Sequence, residues 1–168
     1  MLMFNENLVA LHLDAPDAQT VIDVLAGRLY NQGLVVAEYG QQTYARELEH
    51  PTGLPTTPFC IAFPHADAQG VKQSALALAT LAKPVIFKNM ADPDEDLQVV
   101  LVLMLANRNP EEQVQTLRNL AILFGRPDKL VALRDQRTAE DAVAWLGGEL
   151  HLGEQAGQTD QMSERRGK

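Results

Sequence analysis

With 168 residues, 46% of them hydrophobic and 21% charged, the chain has the make-up of one ordinary globular domain with room for a sizeable core. A net charge of −8 argues against a nucleic-acid backbone as partner, since that contact needs a basic face, and it suits a basic protein partner. The single cysteine, Cys60, excludes an intramolecular disulfide framework and fits a reducing compartment.

The N-terminus has acidic Glu6 and neither a basic segment nor an apolar core of the signal-peptide kind. The longest apolar run, Val99 to Ala106, is far too short to span a bilayer. A cytoplasmic protein without direct membrane insertion is expected.

In chain order, Leu8 to Leu13 reads as a first short strand. Asp14 is the expected N-cap of a helix with Pro16 in its first turn; Val21, Leu25 and Leu29 share a face, and Gly33 follows as C′ residue. A second helix is expected over 40–49, with Tyr44 and Leu48 on one face, Arg46, Glu47 and Glu49 exposed, and Pro51 ending it. Residues 51–58 carry three prolines, a glycine and three threonines, a stiff loop that is neither helix nor central strand. Cys60 to Phe63 is then a short buried strand that stops at Pro64.

Ser74 to Leu81 alternates leucine with alanine and reads as a strand, despite the helix propensity of those residues. Val85 to Phe87 reads as a separate short strand, and 92–96 as a polar turn. Leu97 to Ala106, apolar on both faces, fits the centre of a covered sheet. Asn109, Pro110 and two glutamates open a helix whose expected buried stripe is Val114, Leu117, Ala121 and Phe124. A short helix over 128–134 follows, and the capping box Thr138-Ala-Glu-Asp141 starts a last one through Leu146. Disorder is expected beyond that, giving a domain over 1–147 and a tail over 148–168. Strands interleaved with helices, one strand buried on both faces, predict an α/β three-layer sandwich: a mixed β-sheet flanked by helices on both faces.

His65 is the outstanding candidate for chemistry. Pro64 fixes the backbone at the strand end and holds the imidazole firmly. Imidazole is the one side chain whose unperturbed pKa, about 6.5, suits it to nucleophile and leaving-group roles near neutral pH. Alone, it reads more readily as a satisfied, half-buried histidine at a strand end. Arg46 favours phosphate acceptance, because a guanidinium binds phosphate oxygens bidentately, although it also fits a solvated helix position. His12, His50, His65, Cys60 and Asp67 offer metal-ligand types without metal-site spacing, so no metal is expected. There is no nucleophile elbow, P-loop or dinucleotide fingerprint.

Arg46-Glu47, Thr52-Gly53-Leu54-Pro55 and Ile61-Ala62-Phe63-Pro64-His65-Ala66-Asp67, with Val71 and Ser74-Ala75, resemble the fructose/mannitol-type enzyme IIA domain of the bacterial phosphoenolpyruvate-dependent sugar phosphotransferase system. The similarity runs from about residue 5 to residue 147, and the galactitol-specific branch resembles the chain best, through the approach to the histidine and the Asn109-Pro-Glu-Glu-Gln113 helix start. The resemblance implies a phosphocarrier. His65 would accept a phosphoryl group from the histidine-containing phosphocarrier protein HPr and pass it to a cysteine of an enzyme IIB component, with the membrane enzyme IIC engaged indirectly. Arg46 would lie near the phosphate; Thr52, Gly53, Leu54, Pro64 and Gln113 are candidates for the phosphate site or for docking, with Leu54, Pro55 and Phe59 as an apolar rim. Many fructose and mannitol members have a second histidine where this chain has Gln113. No cofactor is implied. The alternative is a regulatory protein of the same type, whose His65 phosphorylation state controls partners rather than transport.

Overall fold

The alternation that begins at Ala75 organises the sheet. A computed structural model describes residues 1–152. Within them lie five strands, β1 (Val9–Leu13), β2 (Gly53–Leu54), β3 (Cys60–Ala62), β4 (Ala75–Lys88) and β5 (Asp96–Ala106), in the order β1-β4-β5-β3-β2. The β1–β4 and β3–β5 pairs are parallel, whereas β4–β5 and β2–β3 are antiparallel. Successive side chains of a strand face opposite ways. Ala75, Ala77 and Ala79 therefore face one core with α1 (Ala18–Asn31) and α2 (Tyr39–Glu49). Leu76 and Leu78 face the other, with α3 (Val114–Phe124), α4 (Pro127–Arg134) and α5 (Ala139–Glu149). The architecture is the expected mixed sheet between two helical layers.

Several elements differ from their sequence reading. The two strands expected at 74–81 and 85–87 are one long strand, β4, whose ladder to β5 shifts between Thr80 and Val85. That irregularity absorbs Pro84, which cannot donate to a ladder and sits exposed. The α1 N-cap is Asp17, not Asp14: its carboxylate accepts from the Thr20 amide at 2.8 Å, leaving Pro16 ahead of the helix. Gly33 ends α1 as expected, at φ 73°, with its amide donating to Tyr30 and that of Leu34 to Leu29.

The face assigned to α2 also changes. Leu48 is 68% exposed and Tyr44 is only half-buried; Tyr39, Gly40, Thr43 and Glu47 turn inward instead. On α3 the buried stripe is Thr116, Leu120 and Leu123, one position away from the expected Val114, Leu117, Ala121 and Phe124. The helix is apolar on both neighbouring stripes, so periodicity could not choose between them. Finally, α5 runs past its expected end at Leu146, through Gly147 and Gly148 to Glu149, and Leu150 is fully buried. The rest of the expected tail, from residue 153, lies outside the described residues.

The stiff loop 51–58 contributes the edge strand β2, which fastens the sheet to the β4–β5 hairpin. The Met90 amide donates to the Gly53 carbonyl at 2.8 Å, and a Cβ at Gly53 would lie 2.4 Å from the backbone oxygen of Lys88. Backbone cannot yield as a side chain can. Gly53→Ala is expected to lower stability by about 1–3 kcal/mol in urea unfolding; an unchanged midpoint would show that the hairpin gives way freely.

Candidate functional site

Strands β3 and β5 are parallel neighbours, so the segments leaving them emerge at the same end of the sheet. The segment after β3 is Phe63-Pro64-His65, and the one after β5 leads to Gln113. Ladder pairing stops at Ala62, and buried Pro64 turns the chain outward. His65 is half-buried, and its Nδ1 lies 3.0 Å from the Phe63 carbonyl oxygen. A carbonyl only accepts, so Nδ1 carries the proton and Nε2 of the neutral ring carries the lone pair. The Phe63 ring stands 6.0 Å from the imidazole and 5.8 Å, edge-on, from Phe124 of α3. That contact backs the loop against the second core.

The inward face of α2 holds the loop from the other side. The Tyr39 hydroxyl accepts from the Ala66 amide at 3.3 Å, and the Thr43 hydroxyl donates to the Tyr39 carbonyl at 2.7 Å. Burial pushes the Tyr39 hydroxyl up, so it stays protonated. Glu47, 8% exposed, accepts at both carboxylate oxygens from Thr52: the amide at 2.9 Å and the hydroxyl at 2.8 Å. Thr52 in turn receives the Phe63 amide on its carbonyl at 3.2 Å and on its hydroxyl oxygen at 3.3 Å. Residues 63 and 66, on either side of the histidine, are thus both tied down by α2.

Arg46 lies on the same helix. Its Nη1 is 3.3 Å from Asp67, an exposed carboxylate two residues beyond His65, and its Nε is buried without a hydrogen-bond partner. Together with Gln42, Glu49, His50, Ala66 and Gln69 the pair lines an open hollow of about 400 Å³.

The remaining candidates take other places. Thr52 is buried, with its hydroxyl and amide committed to Glu47, and Gly53 serves the close approach of β2 to Lys88. Leu54 and Phe59 pack against the second core, with the Arg134 guanidinium 5.1 Å over the Phe59 ring; Pro55 is exposed. Gln113 is buried where a 3₁₀ turn joins α3, and no hydrogen bond links it to His65 or Arg46 among the described residues. Tyr39, Thr43 and Glu47 were missed as site residues, and Glu47 was expected to be exposed. Their spacing of four along one helix is the signal that could have exposed a polar inward stripe. Cys60 is a half-buried thiol whose pKa burial raises, in keeping with a packed role. Among the described residues no three His, Cys, Asp or Glu side chains come together as a metal site, and no helix is long and apolar enough to cross a membrane.

The chain belongs to the EIIA 2 family of the phosphoenolpyruvate-dependent sugar phosphotransferase system, whose model matches residues 2–147. The galactitol-specific EIIA component of Escherichia coli K12 is 35% identical over 112 residues, covering 67% of this chain and 74% of that protein. Among solved structures, enzyme IIAMTL of Escherichia coli in complex with phosphorylated enzyme IIBMTL superposes with a TM-score of 0.71 at 21% identity, covering 88% of this chain and 99% of the other. Nitrogen regulatory protein IIA-Ntr of Neisseria meningitidis gives 0.67 at 25% identity, covering 84% and 94%.

Burial pushes the Glu47 carboxyl up, against the two Thr52 hydrogen bonds that pull it down. The folded protein therefore holds that proton more tightly than the unfolded chain does. Its contribution to stability is full below the ordinary carboxylate range and is lost as pH rises through the raised value. Across a pH series of urea unfolding, Glu47→Gln should gain stability relative to wild type from acidic to neutral pH. A constant difference would mean that Glu47 binds its proton equally in both states.

Proposed function

We propose that the protein is a phosphocarrier of a sugar phosphotransferase system of the galactitol type, phosphorylated at Nε2 of His65. The observation that carries the reading is the fixed imidazole: Nδ1 faces the Phe63 carbonyl at 3.0 Å and the lone pair is left on Nε2. Family membership and the 35% identical galactitol-specific relative support the system and the sugar class.

Phosphoryl transfer asks for positioning and charge stabilisation more than for covalent machinery. Nε2 attacks the phosphorus of the donor, phosphorylated HPr; the donor's N–P bond breaks as the new Nε2–P bond forms. The proton stays on Nδ1, so the ring becomes an imidazolium, and the Phe63 carbonyl stabilises that cation. Arg46 exchanges Asp67 for the phosphoryl oxygens. Its pairing with Asp67, 86% exposed, gives up little, because exposed ion pairs contribute about 0–1 kcal/mol. In the second half-reaction a cysteine thiolate of enzyme IIB attacks phosphorus, an S–P bond replaces the N–P bond, and the electron pair returns to Nε2. The IIAMTL relative, solved with phosphorylated IIBMTL, supports an enzyme IIB acceptor. No cofactor enters either step, and enzyme IIC is reached only through IIB.

A regulatory role is the second reading, favoured by the likeness to nitrogen regulatory protein IIA-Ntr. The same phosphorylated His65 would then govern a partner protein instead of feeding enzyme IIB.

Incubation with phosphoenolpyruvate, enzyme I and HPr is expected to add one acid-labile phosphoryl group by intact mass, and His65→Ala should remove it without loss of fold. Labelling of His65→Ala would defeat the assignment. Arg46→Gln should slow transfer by roughly 10²-fold with little change in the urea midpoint; an unchanged rate would take Arg46 out of the site. Discharge by a galactitol-type enzyme IIB supports the transport role, whereas a phosphoprotein that no IIB discharges supports the regulatory one.

A further inference from the structure

Glu47 is a buried acid for which the transfer chemistry has no direct use. Among the described residues it pairs with no cation, and its hydrogen bonds come from Thr52 alone. Taking a carboxylate out of water without a counter-charge is costly, and a glutamine would fill nearly the same volume. What the carboxylate does that an amide cannot is accept at both oxygens at once. Both polar hydrogens of Thr52 are captured as a result. With its own O–H pointed at Glu47, the Thr52 hydroxyl presents a lone pair to the Phe63 amide, which also reaches the Thr52 carbonyl.

From Phe63 the chain of contacts continues to the ring. The same residue whose amide is anchored on Thr52 offers its carbonyl to His65 Nδ1 at 3.0 Å. The anchor lies where β2 pairs with β3 in the register Gly53 with Ala62, so it extends that ladder by one step toward the histidine. Pro64 between them is buried and fixed in φ, leaving little slack between the anchored amide and the imidazole.

We propose that Glu47 is a positioning residue that, acting through Thr52 and Phe63, fixes the Nδ1–H form of His65 and so directs the phosphoryl group to Nε2. The inference rests on the phosphocarrier reading for its last step; the control of the ring's proton stands without it. Glu47 and Thr52 touch no phosphate. They determine which nitrogen has the lone pair and where it points.

Thr52→Val keeps the shape of the side chain and removes the hydroxyl, and Thr52→Ser restores it. Both, with Glu47→Gln, are to be compared with wild type by ¹⁵N NMR of the unphosphorylated imidazoles and by the ratio of the two phosphohistidine isomers after charging with phosphoenolpyruvate, enzyme I and HPr. Wild type and Thr52→Ser should show His65 as the single Nδ1–H tautomer and only Nε2-phosphohistidine. Thr52→Val and Glu47→Gln should show mixed tautomers, a measurable Nδ1 isomer and charging slowed about 10- to 100-fold, the range expected for a misplaced reacting group. If both variants keep the single tautomer and the Nε2 product while their urea midpoints fall, Glu47 only holds the fold and the inference is overturned. Wild type that gains no phosphoryl group defeats the phosphocarrier reading instead, and the tautomer comparison still decides whether Glu47 governs the ring. A variant that does not fold is set aside by its urea profile, and the other carries the test.

Discussion

Glu47 and Thr52 meet five residues apart in sequence, at 2.9 and 2.8 Å, and the loop bearing His65 hangs on that meeting. The contact closes the turn from α2 into β2, and β2 then pairs with β3, whose end delivers Phe63, Pro64 and His65. A helix end, an edge strand and the His65 loop are joined through one pair of side chains. Tyr39, eight residues earlier on the same inward stripe of α2, holds the Ala66 amide and closes the frame from the far side. The histidine is therefore presented by a rigid mount although it lies outside any regular element.

That mount can be polar because the sheet beneath it is secured elsewhere. Strand β4 divides its side chains cleanly, alanines toward α1 and α2 and leucines toward α3, α4 and α5. Apolar burial supplies the driving force on both faces. Small residues on the α1 side let that helix lie close, with Val21, Ile22, Leu25 and Leu29 all buried. The polar stripe of α2 is thus a local feature on an apolar scaffold: Tyr39 and Glu47 are matched by partners in the loop, and the Thr43 hydroxyl by the Tyr39 carbonyl on the helix itself. Arg46, on the same helix, keeps a buried Nε without a hydrogen-bond partner.

The electrostatics of the site suit the proposed role, in which a group is accepted and then released. Arg46 is held by an exposed acid rather than a buried one, so on that proposal it is available at small cost. Gln113, buried and without a hydrogen bond to His65 or Arg46 among the described residues, brings no charge to the site. The acidic character of the whole chain fits docking to basic partner surfaces by charge.

Much of this was legible in the sequence. The strand end at Pro64, the histidine after it, the sheet with helices on both sides and the capping box at Thr138 all depend on short-range rules: proline geometry, alternation and cap chemistry. Thr138 does accept from Asp141 at 3.0 Å. The extent of β4 was not legible, because whether a ladder continues past an irregularity depends on its partner strand. Nor was the buried stripe of α3, where apolar residues lie on two neighbouring faces and the sheet takes the one that carries Thr116. Hydropathy alone placed Glu47 in solvent, since a carboxylate goes inside only when the fold brings donors to meet it. His65, the proposed phosphoryl acceptor, is marked out by local sequence. Which of its ring nitrogens keeps the lone pair depends on the tertiary structure, because a backbone carbonyl held in place by contacts that reach back to another helix faces Nδ1.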